Sequence, residues 1–268
     1  MSRIRAAYEA LIASGELRAD AAQAAVADRL DALAGALEQQ APRPGFLGRL
    51  LGARPAPPPR GLYLWGGVGR GKSMLMDLFF AHAAVTPRKR IHFHQFMLET
   101  HARIHAARAT HEGDPILPVA AQWAAEARLL CFDELQVTNI ADAMILSRLF
   151  TALFAAGVTV VATSNRVPDD LYKDGLNREL FLPFIALLTS TLDIVALDGP
   201  TDYRLDRMGG MPTYYTPNGP AATQALSELF FRLTDFPVED RAHVPSRDLD
   251  VGGGRILHVP KSLKGVAV

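Results

Sequence analysis

Cysteine is almost missing from this chain: Cys131 is the single one in 268 residues. An internal disulfide is excluded, and the composition is that of a protein from a reducing compartment. An excess of charge of either sign is missing as well. There are 28 Lys and Arg against 28 Asp and Glu, so no whole-protein field draws the chain to nucleic acid or to an anionic membrane, and only local patches can do so. Nor is there a long apolar run. The longest apolar stretch without charge, 149–165, has 17 residues. Gly157 divides it into a helix end and a segment rich in β-branched residues, which reads as a helix, a turn and a buried strand and not as a membrane span. The opening segment MSRIRAAYEALIASGEL contains Glu9 and Glu16 and no apolar signal core. These absences predict a cytoplasmic protein, peripheral to a membrane at most.

Helical periodicity comes first along the chain. Ile4, Tyr8, Leu11 and Ile12 share one face, and Val26, Leu30, Leu33 and Leu37 share another, with Asp20 placed to cap the second helix. Residues 1–41 are thus expected to be a helical hairpin. Six prolines and three glycines fall within 42–59, which marks 42–60 as a linker. From Gly61 the texture alternates. Strands are expected at 61–65, 89–94, 128–132, 158–163 and 192–197. Helices are expected at 72–84, at roughly 96–109, at 140–156 and around 168–189. Five apolar strands separated by helices define an α/β fold, a parallel sheet covered on both faces, over 61–200. The remainder, 201–268, is turn-rich, with one helix on which Leu226, Leu229, Phe230 and Leu233 share a face and a strand at 255–259.

One motif carries phosphate chemistry. Gly66, Gly67, Val68, Gly69, Arg70, Gly71, Lys72 and Ser73 satisfy G-x-x-x-x-G-K-[ST], between an apolar strand and an apolar helix. Glycines let successive N–H groups turn inward onto phosphate oxygens, and the following helix adds positive potential at its N-terminus. Lys72 is expected to reach the β- and γ-phosphates, and Ser73 to ligate Mg²⁺. The second half lies 61 residues beyond Lys72, where the strand RLLCF delivers Asp133 and Glu134. Asp133 is expected to serve the Mg²⁺ and Glu134 to act as general base on the attacking water. Asn165, at the polar tip of the next strand, is expected to position that water. Arg178, just before Phe181, is the first candidate for an arginine finger acting on a neighbouring subunit, and Arg166 is its competitor. Cys131 reads as an inert core residue.

The stretches GLYLWGGVGRGKSMLMDLFF, KRIHFHQFMLETHARIH, LLCFDELQVTNIADAMILSRLF, TSNRVPDDLYKDGLNRELFLPFI and TDYRL, in that order over 61–205, resemble the ZapE-type AAA+ ATPases. The resemblance implies a P-loop NTPase with the AAA+ sheet order 5-1-4-3-2. It implies Gly71, Lys72 and Ser73 as Walker A, Asp133 and Glu134 as Walker B, and Asn165 as sensor 1. It also implies ATP and Mg²⁺ as cofactors, an ATP-dependent ring-type homo-oligomer, and remodelling of a protein substrate. Bacterial members are associated with the cytokinetic ring protein FtsZ, mitochondrial members with quality control at the inner membrane. Members of the family continue past the last residue here, so 201–268 is expected to stop before a helical lid.

Two other readings compete. One is a nucleotide-dependent nucleic-acid switch of the helicase-loader type, against which stand the neutral charge and the lack of interleaved basic and aromatic residues. The other is a small-molecule phosphotransferase, which has little use for Glu134 beside Asp133. Residues 87–111 are locally basic, with Arg88, Lys89, Arg90, Arg103 and Arg108 against Glu99 alone. His101 and His105 lie four apart, but Ala102 stands where a zinc protease needs glutamate. Phe96 and Met97 are candidates either for a pore-facing connection or for the core.

Overall fold

The computed structural model describes residues 3–40, 58–110 and 113–197, and beyond them 216–217, 219–234, 246–250, 256–259, 262–263 and 266–267. The linker expected at 42–60 lies, up to residue 57, outside the described residues, as does the TDYRL stretch. The chain divides into two compact units, Met1–Tyr203 and Arg204–Val268.

In the first unit, α1 (Arg3–Ala13) and α2 (Ala21–Gln39) form the hairpin. Both helix starts are satisfied by carboxylates. Asp20 Oδ1 accepts the N–H groups of Ala22 and Gln23 at 2.7 and 3.1 Å, and Asp31 accepts those of Ile4 and Arg5 at 2.9 and 2.8 Å. Each bond removes one of the orphan donors of a first turn. Then follow β1 (Gly61–Trp65), α3 (Lys72–His82), β2 (Arg88–His92), α4 (Phe93–Thr110), α5 (Ile116–Glu126), β3 (Leu129–Asp133), α6 (Ile140–Ala155), β4 (Thr159–Ser164), α7 (Leu182–Thr191) and β5 (Leu192–Ala196).

The five strands pair in parallel in the order β2-β3-β4-β1-β5, the AAA+ order. Strand alternation sorts the core into two layers. Leu62 and Leu64 of β1, Cys131 of β3 and Val161 of β4 face α3 and the hairpin, joining Leu75 and Phe79 to Ile4, Tyr8, Val26 and Leu30. Tyr63, Leu130, Phe132 and Val160 face the other way, onto Phe96, Trp123, Phe150 and Phe184. The hairpin therefore shares a core with the sheet. The second unit contains α8 (Pro220–Thr234), β6 (Arg247–Asp250) paired antiparallel with β7 (Ile256–Val259), and β8 (Ser262–Leu263) paired with β9 (Val266–Ala267).

Several boundaries differ from the expected ones. The strand expected at 89–94 ends at His92, because Phe93, Phe96 and Met97 turn inward at helical spacing. Phe96 and Met97 are buried in the aromatic core, against Phe132 and Trp123 in the case of Phe96, so they face no pore. The helix expected around 168–189 is replaced by two short 3-10 turns, Pro168–Asp170 and Arg178–Leu180, with α7 beginning only at Leu182. Tyr172, Asp174 and Asn177 adopt φ of 52°, 60° and 54°, a left-handed backbone that no α-helix accommodates. Three cations of the locally basic segment, Lys89, Arg90 and Arg103, are paired with carboxylates of the fold. Lys89 pairs with Glu99 and Glu126, Arg103 with Glu126, and both cations stack on Trp123. His101 Nε2 lies 2.6 Å from Asp142, and among the described residues no cluster of His, Cys, Asp and Glu is arranged to hold a metal.

Cys131 is fully buried, and burial pushes its thiol pKa up. We expect it to react with an aromatic disulfide reagent at pH 8 only as fast as the chain unfolds, with immediate labelling in urea. Asp20→Ala is expected to lower stability by about 1 kcal/mol in urea titration, through loss of the α2 cap.

Candidate functional site

The C-terminal ends of β1, β4 and β3 lie side by side, with β4 in the middle, and each carries polar groups into the loop that follows. This edge is where ligands bind in open parallel sheets.

After β1 the loop 66–71 leaves the sheet under two steric constraints. A Cβ on Gly66 would sit 2.3 Å from the carbonyl oxygen of Leu197, so the backbones touch where only glycine fits. Gly71 has φ of 87° and caps α3. Lys72 is buried, with its Nζ donating to the carbonyls of Gly66 and Gly67 at 2.7 and 2.6 Å. The ammonium is thus fixed beneath the loop, where a phosphate oxygen can exchange for either carbonyl. Ser73 is exposed in the first turn of α3. The loop is also held from outside the motif. Gln23 of α2, 1% exposed, donates its Nε2 to the carbonyl of Arg70 at 3.0 Å. No sequence pattern points to Gln23, because its partner is 47 residues away.

At the end of β3, Asp133 is buried and Glu134 is exposed. Arg90 of β2 grips the Asp133 carboxylate with two bonds, Nε to Oδ2 at 2.7 Å and a terminal nitrogen to Oδ1 at 3.1 Å. The same guanidinium pairs with Asp77 on α3. Burial lowers the Arg90 pKa, but the hydrogen bonds and charges of Asp133 and Asp77 outweigh it and hold the group above its ordinary value. The Ser73 hydroxyl and the Asp133 carboxylate are hard oxygen donors of the kind Mg²⁺ takes, so the residues fit that ion, with Arg90 as its competitor for Asp133.

Glu134 lines two adjoining depressions. One, of about 240 Å³, is shared with His92, His94, Asp133, Gln136 and Thr138. The other, of about 210 Å³, is shared with Gln136, Ser164, Asn165 and Arg166. Asn165 and Arg166 are both exposed there. Arg178 stands differently: its guanidinium donates to the carbonyl of Leu171 at 2.8 Å and to that of Asp169, bracing the left-handed loop. The structure thus groups Glu134, Asn165 and Arg166, and it places Arg178 outside both depressions.

An apolar strand, a glycine loop whose lysine is tucked beneath it, a neighbouring strand ending in Asp-Glu, and the order β2-β3-β4-β1-β5 define a P-loop NTPase of the AAA+ type. Within that class the chain belongs to the AFG1-like ATPase family, whose model matches residues 2–266. It is 47% identical over 186 residues to lactation elevated protein 1 homolog B of Danio rerio, covering 66% of this chain and 37% of that protein. It is 44% identical over 214 residues to the uncharacterized protein C115.02c of Schizosaccharomyces pombe, covering 78% and 46%. It is 43% identical over 176 residues to cell division protein ZapE of Escherichia coli K12, covering 66% and 46%. The chain thus spans less than half the length of these curated relatives.

Removing Arg90 leaves a buried carboxylate without its partner. Arg90→Ala is expected to cost about 2–3 kcal/mol in urea denaturation, and adding Asp133→Asn should recover part of that loss, which a double-mutant cycle measures.

Proposed function

We propose that this chain binds ATP with Mg²⁺ at the loop 66–73 and hydrolyses it, and that the cycle drives remodelling of a protein partner. The observation that carries the reading is the exposed Glu134 carboxylate, which shares one depression with Asn165, while Asp133, next to it, is buried and held by Arg90. The two carboxylates are separated in environment, and so are the roles proposed for them.

The loop N–H groups and the start of α3 surround the β- and γ-phosphates, and Lys72 transfers its hydrogen bonds from the loop carbonyls to phosphate oxygens. Ser73 and Asp133 are the residues that would hold Mg²⁺, which would supply neutralisation of phosphate charge. Glu134 accepts the proton of the attacking water, and Asn165 orients that water. An arginine completes the charge balance of the transition state. Arg178 serves this purpose from a neighbouring subunit of a ring-type homo-oligomer once it leaves its own loop carbonyls; Arg166, already in the depression, is the alternative in the same subunit. For the partner, an FtsZ-type polymer comes first, since the E. coli relative is by name a cell division protein. The internal pairing of Lys89, Arg90 and Arg103 supports a protein partner over nucleic acid. Among the described residues no helix is long and apolar enough to cross a membrane.

Lys72→Ala is expected to weaken ATP binding at least tenfold, about 1.4 kcal/mol, in calorimetric titration. Glu134→Gln should retain binding and lose about 100-fold or more in turnover. Substantial residual hydrolysis in that variant sinks the assignment of the base. If an arginine acts in trans, turnover per subunit rises with protein concentration, and an Arg178→Ala variant mixed with Lys72→Ala recovers activity that neither has alone. The finger is worth about 10³-fold. A mixture that stays silent while light scattering shows oligomers transfers the role to Arg166.

A further inference from the structure

Glu134 is one of four non-glycine residues with positive φ among the described residues, and the one of them inside the candidate site; its φ is 56°. Such a backbone is disfavoured for a residue with a Cβ and persists only where the surroundings hold it. What holds it is the tip of β4. The Thr163 side chain, 2% exposed, lies against the chain on both sides of Asp133. Its Oγ1 accepts the N–H of Glu134 at 3.1 Å and donates to the carbonyl of Phe132 at 3.5 Å. The Thr163 carbonyl accepts the N–H of Leu135 at 2.7 Å, and Ser164 Oγ donates to the Leu135 carbonyl at 2.8 Å while accepting the N–H of Arg166 at 3.1 Å. The two hydroxyls at the tip of β4, together with the Thr163 carbonyl, thus secure the four consecutive peptide groups from Phe132 to Gln136.

We propose that Thr163, supported by Ser164, is a positioning residue that fixes Glu134 in its left-handed conformation and so sets the direction of its carboxylate. The inference rests on the reading of Glu134 as the base. A normal, extended backbone at Glu134 would redirect the side chain away from the depression that it shares with Asn165. The Thr163 hydroxyl bonds to Phe132 and Glu134, so its influence is expected on the chemical step and not on nucleotide affinity.

The test uses the full chain with Thr163→Val, which keeps the shape and removes the hydroxyl, Thr163→Ser, which restores it, and Glu134→Gln. Thr163→Val is expected to lower kcat by about 10- to 100-fold, the range for a misplaced catalytic group. ATP affinity should stay within about twofold, and Thr163→Ser should return most of the turnover. In a Glu134→Gln background Thr163→Val should cost nothing more, because both act through one carboxylate. A Thr163→Val protein with wild-type kcat, beside an inactive Glu134→Gln, overturns the proposal. If the wild-type chain itself shows no turnover, the reading of hydrolysis fails separately. Positioning is then judged on the Glu134 amide by hydrogen exchange: faster exchange in Thr163→Val, reversed in Thr163→Ser, supports it, and unchanged protection overturns it. Should Thr163→Val not fold, Ser164→Ala carries the same test, with the same loss confined to kcat expected and an unchanged kcat overturning the proposal.

Discussion

The site hangs on the last two residues of β4. In a parallel sheet a central strand bonds to a neighbour on each side, and here the bonding continues one step past the regular ladder. The Ser164 carbonyl accepts the N–H of Gly66, where the phosphate loop departs, and the Thr163 carbonyl accepts that of Leu135, where the other loop departs. From the far side of the sheet Tyr63 sends its hydroxyl to the Arg166 carbonyl at 2.8 Å. Burial raises the Tyr63 pKa, against a lowering by the hydrogen bond to Ser164, so the phenol stays protonated as a donor. Loops that would otherwise move independently are thereby referred to one rigid edge, which is the condition for holding catalytic groups within tenths of an ångström.

The opposite support comes from the hairpin. Because α1 and α2 share a hydrophobic layer with α3 and the sheet, the helix that starts at Lys72 is pinned along its length. Gln23 reaches from that layer to the loop itself. The packing explains why Gly71 cannot be exchanged freely: a Cβ there would meet Gln23 Nε2 at 2.7 Å, in addition to the strain of its φ. Core and binding loop are therefore one mechanical unit, and changes in the hairpin far from any phosphate are felt at the loop.

Where the sequence could be read, the signal was local. The strand 61–65 coincides with β1 to the residue, since an apolar run directly before a glycine loop has only one conformation that serves both. Asp20 was recognisable as a cap from its place between two periodic faces. The strands at 128–132 and 158–163 are each displaced by one residue relative to β3 and β4, because hydrophobicity alone does not locate the polar residue that ends a strand. The contacts of Arg90 and Thr163 are illegible in the sequence for a different reason. Their partners lie 43 and 29 residues away, and only the folded sheet brings them together. In the segment after Pro168 the leucines and phenylalanines keep helical spacing, whereas Asp174 and Asn177 take left-handed turns that win locally.

Arg90 has a further consequence. Many sites that accept a divalent cation gather carboxylates whose mutual repulsion must be relieved by the ion, so that chelation unfolds the protein. Here Asp133 and Asp77 share a guanidinium built into the neighbouring strand. The counter-charge is covalently part of the chain and is present at every salt and metal concentration. Folding of this edge thereby needs no divalent cation: a chelator leaves the melting transition of the sheet where it was.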